Sequence, residues 1–211
     1  MKVRFIGDVH GKWSRYKKLL KGVENSLQVG DFGVGFRNPH TDKEYSGPPY
    51  DSMKKGKHFF IRGNHDNPSA CSRHPFWIRD GESAFGRDDI FCIGGAVSID
   101  KHIRTEGYDW WPNEELSYKE LCTLMDVYEL VKPSVIVSHE CPDSVISRVC
   151  HTKGMLKFDI PCTTRKCFDN MLEIHKPDLW VHGHWHIDYH MVFEGVEFIG
   201  LGELSYLDLD L

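Results

Sequence analysis

The sequence has no CxxC pair, and its cysteines (Cys71, Cys92, Cys122, Cys141, Cys150, Cys162 and Cys167) are seven, an odd number. A fully paired disulfide frame is therefore excluded, and reduced thiols are expected, as in a cytoplasmic protein. No apolar run approaches the roughly 20 residues of a membrane helix. Met1 leads almost at once into a β-prone run rather than a basic-plus-apolar leader, so no membrane partner is expected. Positive charge is not in surplus: 26 Lys and Arg stand against 31 Asp and Glu, a formal charge of −5. That argues against nucleic-acid binding through a broad basic surface, while leaving room for a local basic site. Low-complexity tracts and fixed-period repeats are also missing. The 211 residues read as one domain, 1–211.

Histidine, by contrast, is plentiful. Five of the 13 fall in short polar stretches, each of which follows an apolar strand. These are Asp8-Val9-His10, Gly30-Asp31, Gly63-Asn64-His65-Asp66, Ser138-His139-Glu140 and Gly183-His184-Trp185-His186. The strands leading to them read as Val3–Ile6, Asn25–Val29, His58–Arg62, Val135–Val137 and Leu179–Val181. Between the first two, Trp13, Tyr16, Leu19, Leu20 and Val23 make a helical stripe that Ser14 could help to start. A strand, a helix and a second strand in this order place function at the carboxyl ends of the strands. Residues 32–50 and 100–115 read as long surface loops. Phe76–Ile78 and Ile90–Ile93 are further strand candidates. Ser117 with Glu120 predicts a capping box for a helix over 118–131, ended by Pro133. Residues 140–165 look irregular, with a short helix after Asp143, and a helix is expected over 165–175. The tail alternates as a hairpin turning near Glu194-Gly195.

The residue types in the five stretches suit a pair of divalent metals. A phosphate ester is a poor electrophile ringed by negative oxygens; two cations about 3.5–4 Å apart neutralise it, lower the pKa of water and hold the attack in line. Asp8 and His10 share one side of an extended strand exit, as do His184 and His186. Asp31, Asn64 and His139 arrive singly. Four imidazoles, two carboxylates and an amide suit borderline divalent cations; manganese is the metal expected, with iron, zinc, nickel and cobalt as alternatives. Two cations against Asp8 and Asp31 leave the site at about +2, which suits a phosphate dianion and allows binding without a basic surface. In the central turn, His65 can move a proton and Asp66 can set its tautomer and orientation. Arg62, Arg37 and Arg104 are candidate phosphate contacts. Trp110 and Trp111 either stack on a nucleobase or pin their loop, and His182 reads as structural.

The ordered set DxH, GD, GNHD, H and GHxH resembles the calcineurin-like metallophosphoesterase family, and it runs from residue 8 to residue 186. The resemblance implies an α/β fold, a four-layer α/β/β/α sandwich of two mixed sheets flanked by helices, in agreement with the strands read above. It implies that Asp8, His10 and His186 hold the first metal and that Asn64, His139 and His184 hold the second, with Asp31 bridging them. It also implies that His65 is the catalytic histidine, with Asp66 as the acid beside it. The GDxxDRG pattern of the family's serine/threonine phosphatases is broken here, as Gly30-Asp31-Phe32-Gly33-Val34-Gly35 lacks the arginine. Metal-dependent hydrolysis of a phosphate ester is therefore expected, leaning to a phosphodiester of nucleotide or nucleic-acid type. A phosphomonoesterase, including a protein phosphatase, and a non-catalytic metal-binding scaffold are the alternatives.

Overall fold

Successive residues of a strand point to opposite faces of its sheet, and in the central strands, which are buried on both faces, that alternation sorts the core into three interfaces. The structure is a computed structural model that describes every residue except 44 and 158–159. In chain order it contains β1 (Lys2–Ile6), α1 (Trp13–Leu19), β2 (Asn25–Gln28), α2 (Tyr50–Met53), β3 (Lys57–Phe60), α3 (Pro68–Cys71), β4 (Ser83–Ala84) and β5 (Arg87–Ile93). After a 3-10 turn at Lys101–Ile103 come α4 (Tyr118–Val131), β6 (Val135–Ser138), α5 (Asp143–Lys153), α6 (Thr163–Ile174), β7 (Leu179–His182), β8 (Tyr189–Phe193), β9 (Val196–Gly200) and β10 (Tyr206–Asp210). Two mixed sheets result, ordered β10-β1-β2-β3 and β4-β5-β6-β7-β9-β8.

Val3, Phe5, Leu27 and Val29 of the first sheet pack against Val135, Val137, Leu179 and Val181 of the second. Ile136, Trp180 and Phe198, one residue out of phase with that inner face, turn instead to α4, α5 and α6. Ile6 and Phe60 meet Tyr16, Met53 and Cys71 of α1, α2 and α3. The layers are thus helix, sheet, sheet, helix, as expected. β1, β2 and β3 are mutually parallel, as are β5, β6 and β7. Each sheet therefore delivers its carboxyl ends along one edge.

Ser117 and Glu120 form the predicted capping box on α4, and Lys132 closes that helix in a left-handed conformation. Several boundaries differ from expectation. The stripe to Val23 is helical only to Leu19, and Lys12, not Ser14, stands at the N-cap. Phe76–Ile78 makes a single bridge, Trp77 to Phe60, rather than a strand. Pro75, without an N–H, cannot extend the ladder. The helix after Asp143 runs for 11 residues. Residues 44 and 158–159, in stretches expected to be irregular, lie outside the described residues. Among the described residues no helix is long and apolar enough to cross a membrane.

Candidate metal centre and active site

Residues from both sheets meet at the facing carboxyl edges. Ligand-capable atoms of Asp8, His10, Asp31 and His186 all lie within 4.8 Å of one another, and those of Asp31, His139 and His184 do likewise. Asp31 belongs to both groups, and Asn64 Oδ1 lies 3.0 Å from His139 Nε2. Four of these residues hold the sparsely populated left-handed backbone: His10 (φ 47°), Asp31 (φ 54°), His184 (φ 66°) and His186 (φ 52°). Such strain gathers where a side chain must be aimed. Gly63 and Gly183 are glycines for close approach. A Cβ at Gly63 would sit 2.1 Å from Asp31 Oδ1, and one at Gly183 would sit 2.3 Å from Asp8 Oδ1.

Several polar atoms within this cluster face one another instead of pairing with donors and acceptors elsewhere. Asp8 Oδ2 is buried without a hydrogen bond; His186 Nε2 is 2.9 Å away but not in hydrogen-bonding geometry. His10 Nε2 and His186 Nε2 face each other at 3.1 Å. His139 Nδ1 lies 2.9 Å from the Val29 carbonyl, to which it donates, so its Nε2 is left to face Asn64 Oδ1 and Asp31 Oδ1, the latter at 3.3 Å. Burial lowers His139 most strongly, but the charge and hydrogen bond of Asp31, the Asp8 charge and the Val29 carbonyl together outweigh it and push the ring up to about 9. His139, Asn64 and Asp31 would hold a cation once the proton on Nε2 is released. Burial, with His139 beside it, pushes His184 down to about 3, which keeps its ring a neutral donor. The residues present fit two divalent cations that share Asp31.

His65 lies against this cluster, its ring 5.3 Å from that of His10 and stacked on Phe36 at 5.8 Å. Burial lowers its pKa, against the pull of Asp31. Asp66 does not orient that ring, contrary to the sequence expectation. Its carboxylate accepts from four backbone N–H groups, those of Phe32 (3.0 Å), Gly33 (2.6 Å), Val34 (2.8 Å) and Gly63 (2.7 Å). It fixes the loop after Asp31 instead.

The three arginines expected to reach a phosphate are each engaged by an aspartate. Arg62 is buried, 3.1 Å from Asp80, and donates to the Glu114 carbonyl at 2.7 Å. It is a structural cation, not a phosphate contact. Arg37 pairs with Asp42 at 2.9 Å and Arg104 with Asp100 at 2.6 Å. Arg104 also brings a guanidinium nitrogen within 3.3 Å of His65 Nε2. Trp111 is buried against Phe36, and His182, fully buried, faces the Tyr189 hydroxyl and the Gly183 carbonyl.

Sequence reading missed the residues behind the ligands. Asn64 Nδ2 donates to Ser98 Oγ at 2.9 Å, and Ser98 is held by both oxygens of the buried Glu114. That chain aims the Asn64 carbonyl at the second group. Glu140, also fully buried, accepts from Trp185 Nε1 at 2.7 Å and lies 3.7 Å from His184 Nε2. Its place directly after His139 was the available signal. Beside His10 and His65 opens a cavity of about 320 Å³, walled by Trp13, Phe36 and Tyr45, with Arg37 and Asp109 at its polar side.

A sequence model of the family described as calcineurin-like phosphoesterase matches residues 1–188. No curated protein matches the chain. Among solved structures, a phosphopantetheinyl hydrolase (PptH) from Mycobacterium tuberculosis is similar at 15% identity and a TM-score of 0.49, covering 96% of this chain and 89% of that one. GAP50, the anchor in the inner membrane complex of Plasmodium, is similar at 12% identity and a TM-score of 0.46, covering 95% and 71%.

Proposed function

From the premise that the chain belongs to the calcineurin-like phosphoesterase family, whose members hydrolyse phosphoesters at a dinuclear divalent metal site, we propose that it is a phosphodiesterase acting on nucleotide-type esters. Asp8, His10 and His186 would hold the first cation, Asn64, His139 and His184 the second, and Asp31 both, with manganese our choice among the borderline cations that this nitrogen-and-oxygen donor set suits. When bound, the cations supply charge neutralisation and an acidified water. His65, beside both groups, delivers the proton to the leaving oxygen; a lowered pKa makes its imidazolium the stronger acid. Phe36 and Arg104 hold that ring in place.

The observation that carries the diester reading is the pairing of Arg37, Arg62 and Arg104 with Asp42, Asp80 and Asp100. A monoester dianion would take up the whole charge of about +2 at the metal groups, with each of these arginines already paired. A diester brings one negative charge, which the metal groups suffice to balance. The aromatic walls of the neighbouring cavity then suit the ester's second substituent, a base stacked between Trp13, Phe36 and Tyr45.

The test is a paired assay of the Mn²⁺-loaded protein on bis-p-nitrophenyl phosphate and p-nitrophenyl phosphate, with an EDTA control. Dominant, EDTA-sensitive diester turnover is expected. Dominant monoester turnover would overturn the diester reading, and the lack of turnover on both would move the chain to a non-catalytic metal-binding role.

A further inference from the structure

The formal charge of −5 hides a strong asymmetry. Residues 12–24 and 50–58 together carry eight lysines and arginines against two acids, Glu24 and Asp51. These segments are neighbours in space, because β2 and β3 pair in parallel at the edge of the first sheet, with α1 and α2 packed on its outer face. Of their cations only Lys12 is ion-paired among the described residues, to Glu203. Lys17, Lys18, Lys21 and Lys55 line one open groove of about 820 Å³ with Ser14 and Ser52. All four lysines are exposed.

The helix α1 runs from the candidate active site along this groove. Trp13 walls the aromatic cavity beside His10 and His65, while Ser14, the next residue, lines the lysine groove. The facing segment repeats the arrangement, with Ser46 on the cavity and Ser52 on the groove. The Trp13 indole donates to the Ser46 carbonyl at 2.5 Å and joins the two walls.

We propose that the groove is a track for the backbone of a single-stranded polynucleotide, whose scissile phosphodiester lies at the metal groups. This rests on the phosphodiesterase reading and names its substrate class. Unpaired lysines at a groove neutralise successive phosphates without reading sequence, and the aromatic cavity accepts one unstacked base. A duplex would keep its bases stacked away from those walls, so a single strand fits the pair of features better. An anionic membrane would be met by lysines spread over a face; here they line a groove along the helix whose first residue, Trp13, walls the cavity beside His10 and His65.

The experiment is fluorescence anisotropy of labelled (dT)12 with the full chain in EDTA, so that the groove is read without turnover. Binding that weakens at least tenfold between 50 and 200 mM NaCl is expected. The triple variant K17Q/K21Q/K55Q, changed only at exposed positions, should bind at least tenfold more weakly at 50 mM and lower the log–log salt slope by about 2, at roughly 0.7 per lysine removed. A control with K119Q/K132Q/K166Q should bind as the unmodified protein does. Absent binding, or a triple variant that binds like the parent, overturns the track, as does retention on phosphatidylserine vesicles without oligonucleotide binding. Bis-p-nitrophenyl phosphate turnover without oligonucleotide binding removes the track and leaves the phosphodiesterase. Binding without any phosphodiester turnover does the reverse.

Discussion

Asp66 is the residue whose role moved furthest between sequence and structure. A carboxylate next to a histidine in sequence suggests a partner for that ring, but neighbours on a tight turn need not point the same way. Here the side chain turns back into four N–H groups of residues 32–34 and 63. Arg62 moved for a similar reason: nothing in the local sequence announces Asp80, 18 residues on, as its partner. The residues that gather at this edge were legible because their types and spacing carry the chemistry, whereas the partners behind them are set by tertiary packing. In Asp66→Asn an amide N–H₂ would face N–H donors, removing charge-assisted bonds in a buried site. A loss of about 2–4 kcal/mol and a melting point lower by roughly 5–15 °C are expected. The pH profile of kcat should keep its shape; a shifted profile would restore Asp66 as the group that orients His65. His65→Ala should separate leaving groups. Turnover of thymidylyl-thymidine, with a poor alkoxide leaving group, should fall roughly 10²–10⁴-fold, while p-nitrophenyl esters lose far less. Equal losses on both would contradict the proton-donor role.

Elements with strong local signals were read well. The parallel strands are short runs of Val, Ile and Phe, and α4 carries its own capping box. Elements whose reason is long-range were not. β10 pairs antiparallel with β1, and Asp208 meets Arg4 at 2.7 Å across more than 200 residues of chain. α3, four residues capped by Asn67, is too short for a periodic stripe. The turn after β5 holds Ser98 between Asn64 and Glu114. Ser98→Ala would leave the Asn64 amide free to flip, so affinity at the second cation site should fall about 10–100-fold. Titration calorimetry with Mn²⁺ should show one weakened step and one unchanged; two unchanged steps would refute the positioning role. The packing of α2 and α3 on β3 encloses His74, stacked on Tyr50 at 4.5 Å, with its Nε2 unpartnered among the described residues. Burial pushes His74 from 6.5 down to about 4, so the unfolded chain takes up this proton first. Its contribution is therefore complete above pH 6.5 and is lost as pH falls from there through about 4. His74→Phe should flatten the fall in melting temperature across that window in EDTA. An unchanged slope would show that other groups carry it.

At the scale of the whole molecule, the two sheets meet through an apolar interface, and at one edge also through the ligand groups. Asp8, His10 and Asp31 follow strands of the first sheet, whereas His139, His184 and His186 follow strands of the second. Each ligand group therefore draws on both sheets, and each cation would tie one to the other. At this edge ring nitrogens face each other, and a carboxylate oxygen has no hydrogen bond. Those contacts gain from a cation only when both sheets are in place, so binding should couple directly to unfolding. At a hundredfold excess over Kd, each site would add about 2.7 kcal/mol. For a chain of this size a stabilisation of that order raises the melting temperature by roughly 2–4 °C per kcal/mol. Mn²⁺ should therefore raise the melting temperature of the EDTA-treated protein by roughly 5–20 °C. Asp31→Asn, which alters the one carboxylate common to both groups, should abolish turnover and most of that rise together. Differential scanning calorimetry with and without Mn²⁺ reads both forms directly. A full rise in Asp31→Asn would mean that the two cations bind without a shared ligand, and the bridging role would fall with it.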